Sequence, residues 1–330
     1  MRVLVTGSGG RVGGLLVKTL QERGDWVRGL DVGEARPEAA PDDMVVGSLL
    51  DLEAVTRAVD GVDAVVHLAA VMSWLPQDAE RLFDINVRGT FNLLQAVAGR
   101  PLQRFVFASS GEVYPELAPA YLPIDEAHPT RPTSVYGLTK LLGEEMAQHY
   151  GRRVGLPFVI ARFSHTQAAS ELLDPTSFFS GPRFYVNAKL RQLHTLPPGP
   201  AVAQSIAALE AVATPAEQHY IGCAPDGTPY RMGICDARDM VQGLLLTLTH
   251  PAAVGETFNL GPARACRFDE VVPHLARTTG LPVHRVRLFT AAYDYETTVD
   301  KAQRVLGYAP QWDIFRMIED AARAEAVAVA

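Results

Sequence analysis

The stretch VLVTGSGGRVGG, residues 3–14, decides the fold. Its first four residues are apolar or β-branched and read as a buried strand. Gly7, Gly10 and Gly13 then stand three apart. Residues 15–23 carry apolar side chains at helical spacing, and Gly24 is the stop signal. A strand that turns through glycines into a helix brings backbone close to a pyrophosphate, and the N–H groups at the helix start face it. Glycine is common in this chain, so the strand before the loop and the helix after it carry the reading.

Working outward, WVRGLD (26–31) is a second strand, and its last residue, Asp31, lies 18 positions beyond Gly13. A carboxylate there accepts hydrogen bonds from ribose hydroxyls and repels a 2′-phosphate, which favours NAD over NADP. The plainer alternative is a turn residue at a strand end. Arg11 in the loop and Arg28 before Asp31 soften the preference. The alternation continues with a helix over 51–59, a strand over 64–69, a helix over 79–97 and a strand over 104–110. A helix over 135–150, ended by Gly151, and a strand over 156–163 follow. Apolar strands alternating with helices predict an α/β fold, a Rossmann-like doubly wound parallel sheet. The pattern weakens after about residue 164, where Pro and Gly cluster in PTSFFSGPRF and LPPGP. A helix over about 201–217 and a late strand, FNLG (258–261), are still readable. We expect an NAD-binding domain over 1–163 plus about 235–262, and a smaller C-terminal substrate-binding α/β domain over 164–234 plus 263–330.

Composition narrows the function classes. With 48% hydrophobic and 20% charged residues, the 330-residue chain has the balance of a globular protein. A net charge of −7 argues against nucleic acid as the main partner. No run of about 18 apolar residues predicts a membrane span. The N-terminus enters a strand without a leader pattern, which predicts a cytoplasmic protein. Cys223, Cys235 and Cys266 have no CxxC spacing, and the histidines form no HExxH pattern, so no metal is expected.

VYGLTK (135–140) places Tyr136 four residues before Lys140, on one helix face. Lysine occurs only at positions 18, 140, 189 and 301, so chance pairing is uncommon. A free Tyr titrates near about 10, and a nearby ammonium lowers that toward base work at neutral pH. Ser110 ends a parallel strand, where ligands bind in such sheets, and its hydroxyl is placed to hydrogen-bond a reacting oxygen.

TGSGGRVG, Asp31, HLAA (67–70), NVRGT (86–90), SSGEVY (109–114) and YGLTK (136–140), in this order, resemble the extended short-chain dehydrogenases/reductases. These are the NAD-dependent epimerase/dehydratase group, whose better-known members act on nucleotide sugars. The resemblance covers residues 1–165 well and continues faintly at RMGICDARDM (231–240), FNLG and VDKAQRVLGYAP (299–310). It implies Tyr136 as general acid/base, Lys140 as its electrostatic partner and Ser110 as the third member. It implies Gly7, Gly10, Arg11, Val12 and Gly13 along the pyrophosphate, and Leu68, Ala69, Ala70 and Asn86 along the cofactor. It also implies a homodimer through the helices carrying 86–97 and 136–150. Ser48 and Leu49 stand where the adenine contact of the family usually carries an Asp.

Three positions are open. Glu112 falls where family dehydratases and decarboxylases carry an active Glu, but their accompanying Asp is Gly111 here; the alternative is a strand-end Glu bonded to backbone. His165 is either a substrate-binding or proton-carrying residue or a satisfied loop histidine. Arg231 matches an arginine that clamps a diphosphate, or is a turn Arg. The family's RxxD clamp is missing: its positions hold Thr290 and Tyr293, with Arg285 and Arg287 upstream. PTSFFSGPRF is suited to a pocket wall or lid, or to a packed loop. The expected activity is hydride transfer at a secondary alcohol of a sugar or nucleotide sugar by an epimerase or dehydratase. The alternatives are a dehydrogenase releasing NADH from a free sugar, sugar acid or other small hydroxy compound, and a non-enzymatic NAD sensor or scaffold.

Overall fold

A computed structural model describes residues 1–34 and 37–329. Strands β1 (Arg2–Thr6), β2 (Trp26–Asp31), β3 (Asp43–Val46), β4 (Ala64–His67), β5 (Arg104–Ser110) and β6 (Phe158–Phe163) alternate with helices α1 (Arg11–Glu22), α2 (Leu52–Ala58), α3 (Ala79–Leu82), α4 (Gly89–Val97) and α5 (Val135–Val154). Beyond them come β7 (His165–Gln167), α6 (Ser180–Phe184), α7 (Val186–His194), α8 (Pro200–Glu210), β8 (His219–Cys223), β9 (Arg231–Met232), β10 (Ile234–Asp236), α9 (Ala237–Thr249) and β11 (Thr257–Leu260). The main sheet has seven strands in the order β11-β6-β5-β4-β1-β2-β3. Every pairing in it is parallel. The order reverses at β1, so ligands bind beyond the carboxyl ends of the strands around that point. Register sets those ends level: Thr6 pairs with His67 and with Leu30, and Ser110 with Phe163.

The sheet is buried on both faces. Val3, Val5, Val66, Val106 and Val159 pack on one side with α1 and α9, and Leu4, Val65, Phe105 and Phe107 on the other with Leu93 and Leu94 of α4. A third core, built from residues such as Phe184, Tyr220, Met232, Phe268 and Met317, also takes in Val113, Tyr114 and Ile124 from the earlier half.

Several boundaries depart from the sequence reading. Helix α5 runs through Gly151 and ends at Gly155, whose φ of 70° is the left-handed turn that glycine adopts readily. Gly151 is tolerated inside because it lies against the Phe158 ring. The expected helix over 79–97 is interrupted by a wider π-turn over Phe83–Arg88, and the helix expected to 217 ends at Glu210. Strand β3 escapes the sequence reading because its apolar run, Met44–Val46, is only three residues long and lies on a sheet edge.

Candidate active site

The glycine loop has little freedom to be anything else. A Cβ on Gly13 would lie 2.0 Å from the Gly7 carbonyl oxygen, and one on Gly7 would lie 2.8 Å from the Ala69 nitrogen. Gly7 also adopts φ +71°. Helix α1 starts at Gly10 with no side-chain cap, so its first N–H groups remain available to an anion. Asp31 at the end of β2 turns back to this loop, where its Oδ2 accepts from the Gly9 amide at 2.9 Å. Leu68 and Ala70, after β4, line the same cavity as Gly7, Gly10, Arg11, Val12 and Gly13. These features fit a dinucleotide with its pyrophosphate at the helix start.

Ser48 and Leu49 lie apart from that cavity; Leu49 is buried against Gly89. Asn86 does not line it either. Its amide oxygen accepts from the Val71 N–H at 2.8 Å, and its amide nitrogen donates to Val71 O at 2.8 Å and to Thr139 Oγ1 at 3.0 Å. Asn86 therefore fixes the loop after β4 to α5. His67, capped by Thr6 and Thr90, is a structural counterpart: burial, reinforced by the Lys140 charge, pushes its imidazole down to about 3.

The cavity, 340 Å³, continues to Ser110, Tyr136 and Lys140. Helix α5 is brought there by close approach: a Cβ on Gly137 would lie 2.2 Å from Glu112 O. Ser134 caps the helix, accepting from the Gly137 amide at 2.9 Å. Further along, Glu144 accepts from Arg162 on β6 at 2.7 Å and from Ser109 on β5 at 2.5 Å. This buried pair locks α5 onto the sheet and so positions Lys140 one turn earlier and Tyr136 two turns earlier.

Burial and the Glu112 charge hold the Tyr136 phenol above its ordinary value, against the lowering effect of the neighbouring Ser110 hydroxyl. The expected lowering by Lys140 is not found. The ammonium is 5.8 Å from the Tyr136 ring centre and donates to Ala108 O at 2.8 Å. Burial brings Lys140 itself down to about 8, against the pull of Glu144.

Glu112 faces the cavity rather than backbone alone. Its carboxylate accepts from Trp74 Nε1 at 3.0 Å and from Ser134 Oγ at 2.6 Å. Burial raises it to about 7 in spite of those bonds. Trp74 stacks on Phe178 with ring centres 5.6 Å apart, so PTSFFSGPRF does wall the cavity mouth. His165 lines the cavity, whereas Arg231 does not. Arg231 donates to Asp294 at 2.9 Å and lies 3.4 Å from Glu296.

Sequence reasoning missed Trp74, Glu116, Phe179 and Arg183. Only the aromatic cluster around Phe179 gave a signal. Glu116 stands where a side chain at position 111 would go: a Cβ on Gly111 would lie 2.9 Å from its Oε1.

The sheet, the glycine loop and the returning carboxylate of β2 define a dinucleotide-binding protein of the short-chain dehydrogenase/reductase type. The chain matches the NAD dependent epimerase/dehydratase family over residues 3–261, and it belongs to that family. A crystal structure of a short-chain dehydrogenase/reductase superfamily protein from Agrobacterium tumefaciens with bound NAD has a TM-score of 0.93 and 44% identity, covering 100% of this chain and 98% of that one. A uronate dehydrogenase of Pseudomonas syringae is 36% identical over 49% of this chain, but the match spans only 58% of that protein. A UDP-glucose 4-epimerase of Halalkalibacterium halodurans is 28% identical over 97% of this chain and 94% of that protein. Among the described residues no helix is long and apolar enough to cross a membrane.

Proposed function

We propose that the chain is an NAD-dependent enzyme that moves hydride at a secondary alcohol of a sugar or nucleotide sugar, with Tyr136 as acid/base. The observation that carries this reading is the convergence of Ser110, Tyr136 and Lys140 on the cavity that the glycine loop opens into. Gly7, Gly10, Gly13 and Asp31 would hold the cofactor, which, when bound, accepts and returns hydride. Ser110 holds the reacting oxygen beside Tyr136. Tyr136 takes the hydroxyl proton as the carbonyl forms, and Lys140, held by Ala108 O, lies one turn along the same helix. Glu112 lines the cavity and would take a proton next to that carbonyl in a dehydratase. Replacing Tyr136 by Phe removes the proton acceptor and is expected to lower kcat by about 10³-fold with cofactor uptake unchanged. Undiminished turnover would sink the reading and leave a scaffold or sensor.

One observation favours a second reading, net oxidation of a smaller substrate with release of NADH. Arg231, the candidate diphosphate clamp, is held by Asp294 and Glu296 outside the cavity. The cavity is also at the small end of the range of about 300–1,000 Å³ for ligand sites. The relatives named uronate dehydrogenase and L-arabinose 1-dehydrogenase support the same direction. Product analysis decides: NADH accumulating with substrate supports net oxidation, and product without NADH supports internal return of hydride.

Residues 1–163 with about 235–262 are read as the cofactor domain, and 164–234 with 263–330 as the substrate domain. Three free thiols suit a reducing, cytoplasmic compartment. A groove between α4 and α5, with Phe91 44% and Leu138 47% exposed beside it, supports a homodimer. Light scattering that returns a monomer mass at micromolar concentration contradicts that assembly.

A further inference from the structure

Trp74 bridges the cavity mouth. It sits in the loop after β4, lines the cavity and is 45% exposed. The loop is fastened on either side of it. Asn86 pairs with both backbone groups of Val71, and Ser73 donates to Asp78 at 2.5 Å. Among the described residues the indole N–H has one acceptor, Glu112, whose two carboxylate oxygens lie at 3.0 and 3.1 Å. The plane of the indole is set from the other half of the chain. Phe178 stacks on it at 12° with ring centres 5.6 Å apart, and Phe179 meets it edge-on at 6.3 Å.

Glu112 depends on this contact. Among the described residues its carboxylate has one other donor, Ser134 Oγ at 2.6 Å. Ser134 Oγ itself accepts from the Gly137 amide, so this donor is fixed to the start of α5. Both donors favour the charged carboxylate. The titratable groups around Glu112 act on it without a hydrogen bond. Glu116 raises it and Arg183 lowers it, and Tyr136, Tyr293 and Tyr295 feel its charge. Arg183 donates instead to His165 Nδ1 at 2.8 Å, and His165 is bonded in turn to Tyr295. Ser134 is therefore the fixed donor and Trp74 the movable one. Without the Phe178 ring, a half-exposed indole is free to turn its N–H away.

We infer that Trp74 is a positioning residue that couples the aromatic segment at the cavity mouth to Glu112: with Phe178 stacked on the indole, the N–H holds the carboxylate in the cavity wall, and unstacking releases it. The inference rests on the reading of Glu112 as the group that would take a proton from substrate, but its test reads the carboxyl itself and not turnover. The full chain, isotope-labelled at the glutamate carboxyl carbons, is titrated across neutral pH by NMR, with the Glu112 signal assigned through Glu112→Gln. Trp74→Phe keeps a ring for Phe178 and removes the N–H. It is expected to raise the Glu112 midpoint by about one pH unit, roughly the tenfold that a hydrogen bond to a charged group contributes. Phe178→Ala keeps the N–H and removes its support, and is expected to move the midpoint upward by less. Lost packing alone would admit water and lower the midpoint, so the direction separates positioning from a structural role. If either variant fails to fold, the Trp74 indole N–H resonance of the unaltered chain serves. It should shift as Glu112 ionises and lose that shift in Glu112→Gln. A midpoint that stays or falls in Trp74→Phe overturns the positioning role. One that rises there but not in Phe178→Ala overturns the coupling, and an indole resonance indifferent to pH overturns both. Failure of the hydride-transfer reading shows separately, as turnover that ignores Tyr136→Phe.

Discussion

The two sides of the cavity are built on different principles. On the cofactor side, backbone does the work: Gly7 and Gly13 admit close approach, and the Asp31 carboxylate is already bonded to the loop at Gly9. On the substrate side, side chains do it, and Ser164, Gln167 and Arg183 leave buried polar atoms without partners. A backbone cradle suits a ligand shared by a whole family. Side chains can be exchanged one by one without disturbing the backbone, so that side is free to differ between members of one family. Helix α5 joins the two sides, since its Lys140 donates to Ala108 O and its Tyr136 lies beside Ser110, both on β5.

The largest expected effect tests that joint. Glu144→Gln removes the charge that pairs with the buried Arg162, whose Nη1 also donates to Tyr114 at 2.7 Å. Breaking one side of such a pair costs about 3–5 kcal/mol. Urea unfolding should show that loss; an unchanged midpoint would mean that α5 is held by packing alone. Next comes the cofactor side. Asp31→Ser removes the charge that would oppose a 2′-phosphate, and the NAD-over-NADP preference should fall by about tenfold. Competitive binding measures this, and an unaltered preference would move the discrimination to Arg11 or Arg28.

The smallest effect is on pH dependence, where both sides contribute. Glu112 is raised to about 7, so the carboxylate form that would abstract a proton is lost as pH falls through that value. Lys140, lowered to about 8, loses its charge above that pH. The profile of kcat/KM should be a narrow bell between these limits, and Glu112→Gln should remove its acid limb. Because the folded-state value of Glu112 is raised from 4.5, its stabilising contribution is present below pH 4.5 and is lost as pH rises to about 7. The same variant should flatten the stability curve over that window. An acid limb that survives Glu112→Gln assigns the ionisation to another group.

The same contrast governs what the sequence could disclose. The glycine loop, Asp31, Ser110 and the Tyr136–Lys140 pair are short-range patterns whose spacing states their geometry, and the structure brings Ser110, Tyr136 and Lys140 to the cavity that the loop opens into. Arg183 was invisible because its meaning depends on His165 and on Tyr295, 130 positions beyond that histidine. Arg231 looked like a clamp in sequence, and its partners Asp294 and Glu296 come from a distant segment that no local pattern identifies. Asn86 was placed correctly in the chain but faces Val71 and Thr139 rather than the cavity. The lysine's effect on Tyr136 was overestimated because helical spacing says nothing about the Ala108 carbonyl that holds the ammonium.

The most direct test of the account is equilibrium dialysis of the purified chain, stripped of nucleotide, against NAD and NADP in parallel. One NAD should bind per chain, with NADP bound more weakly. No uptake of NAD, or tighter uptake of NADP, would contradict it.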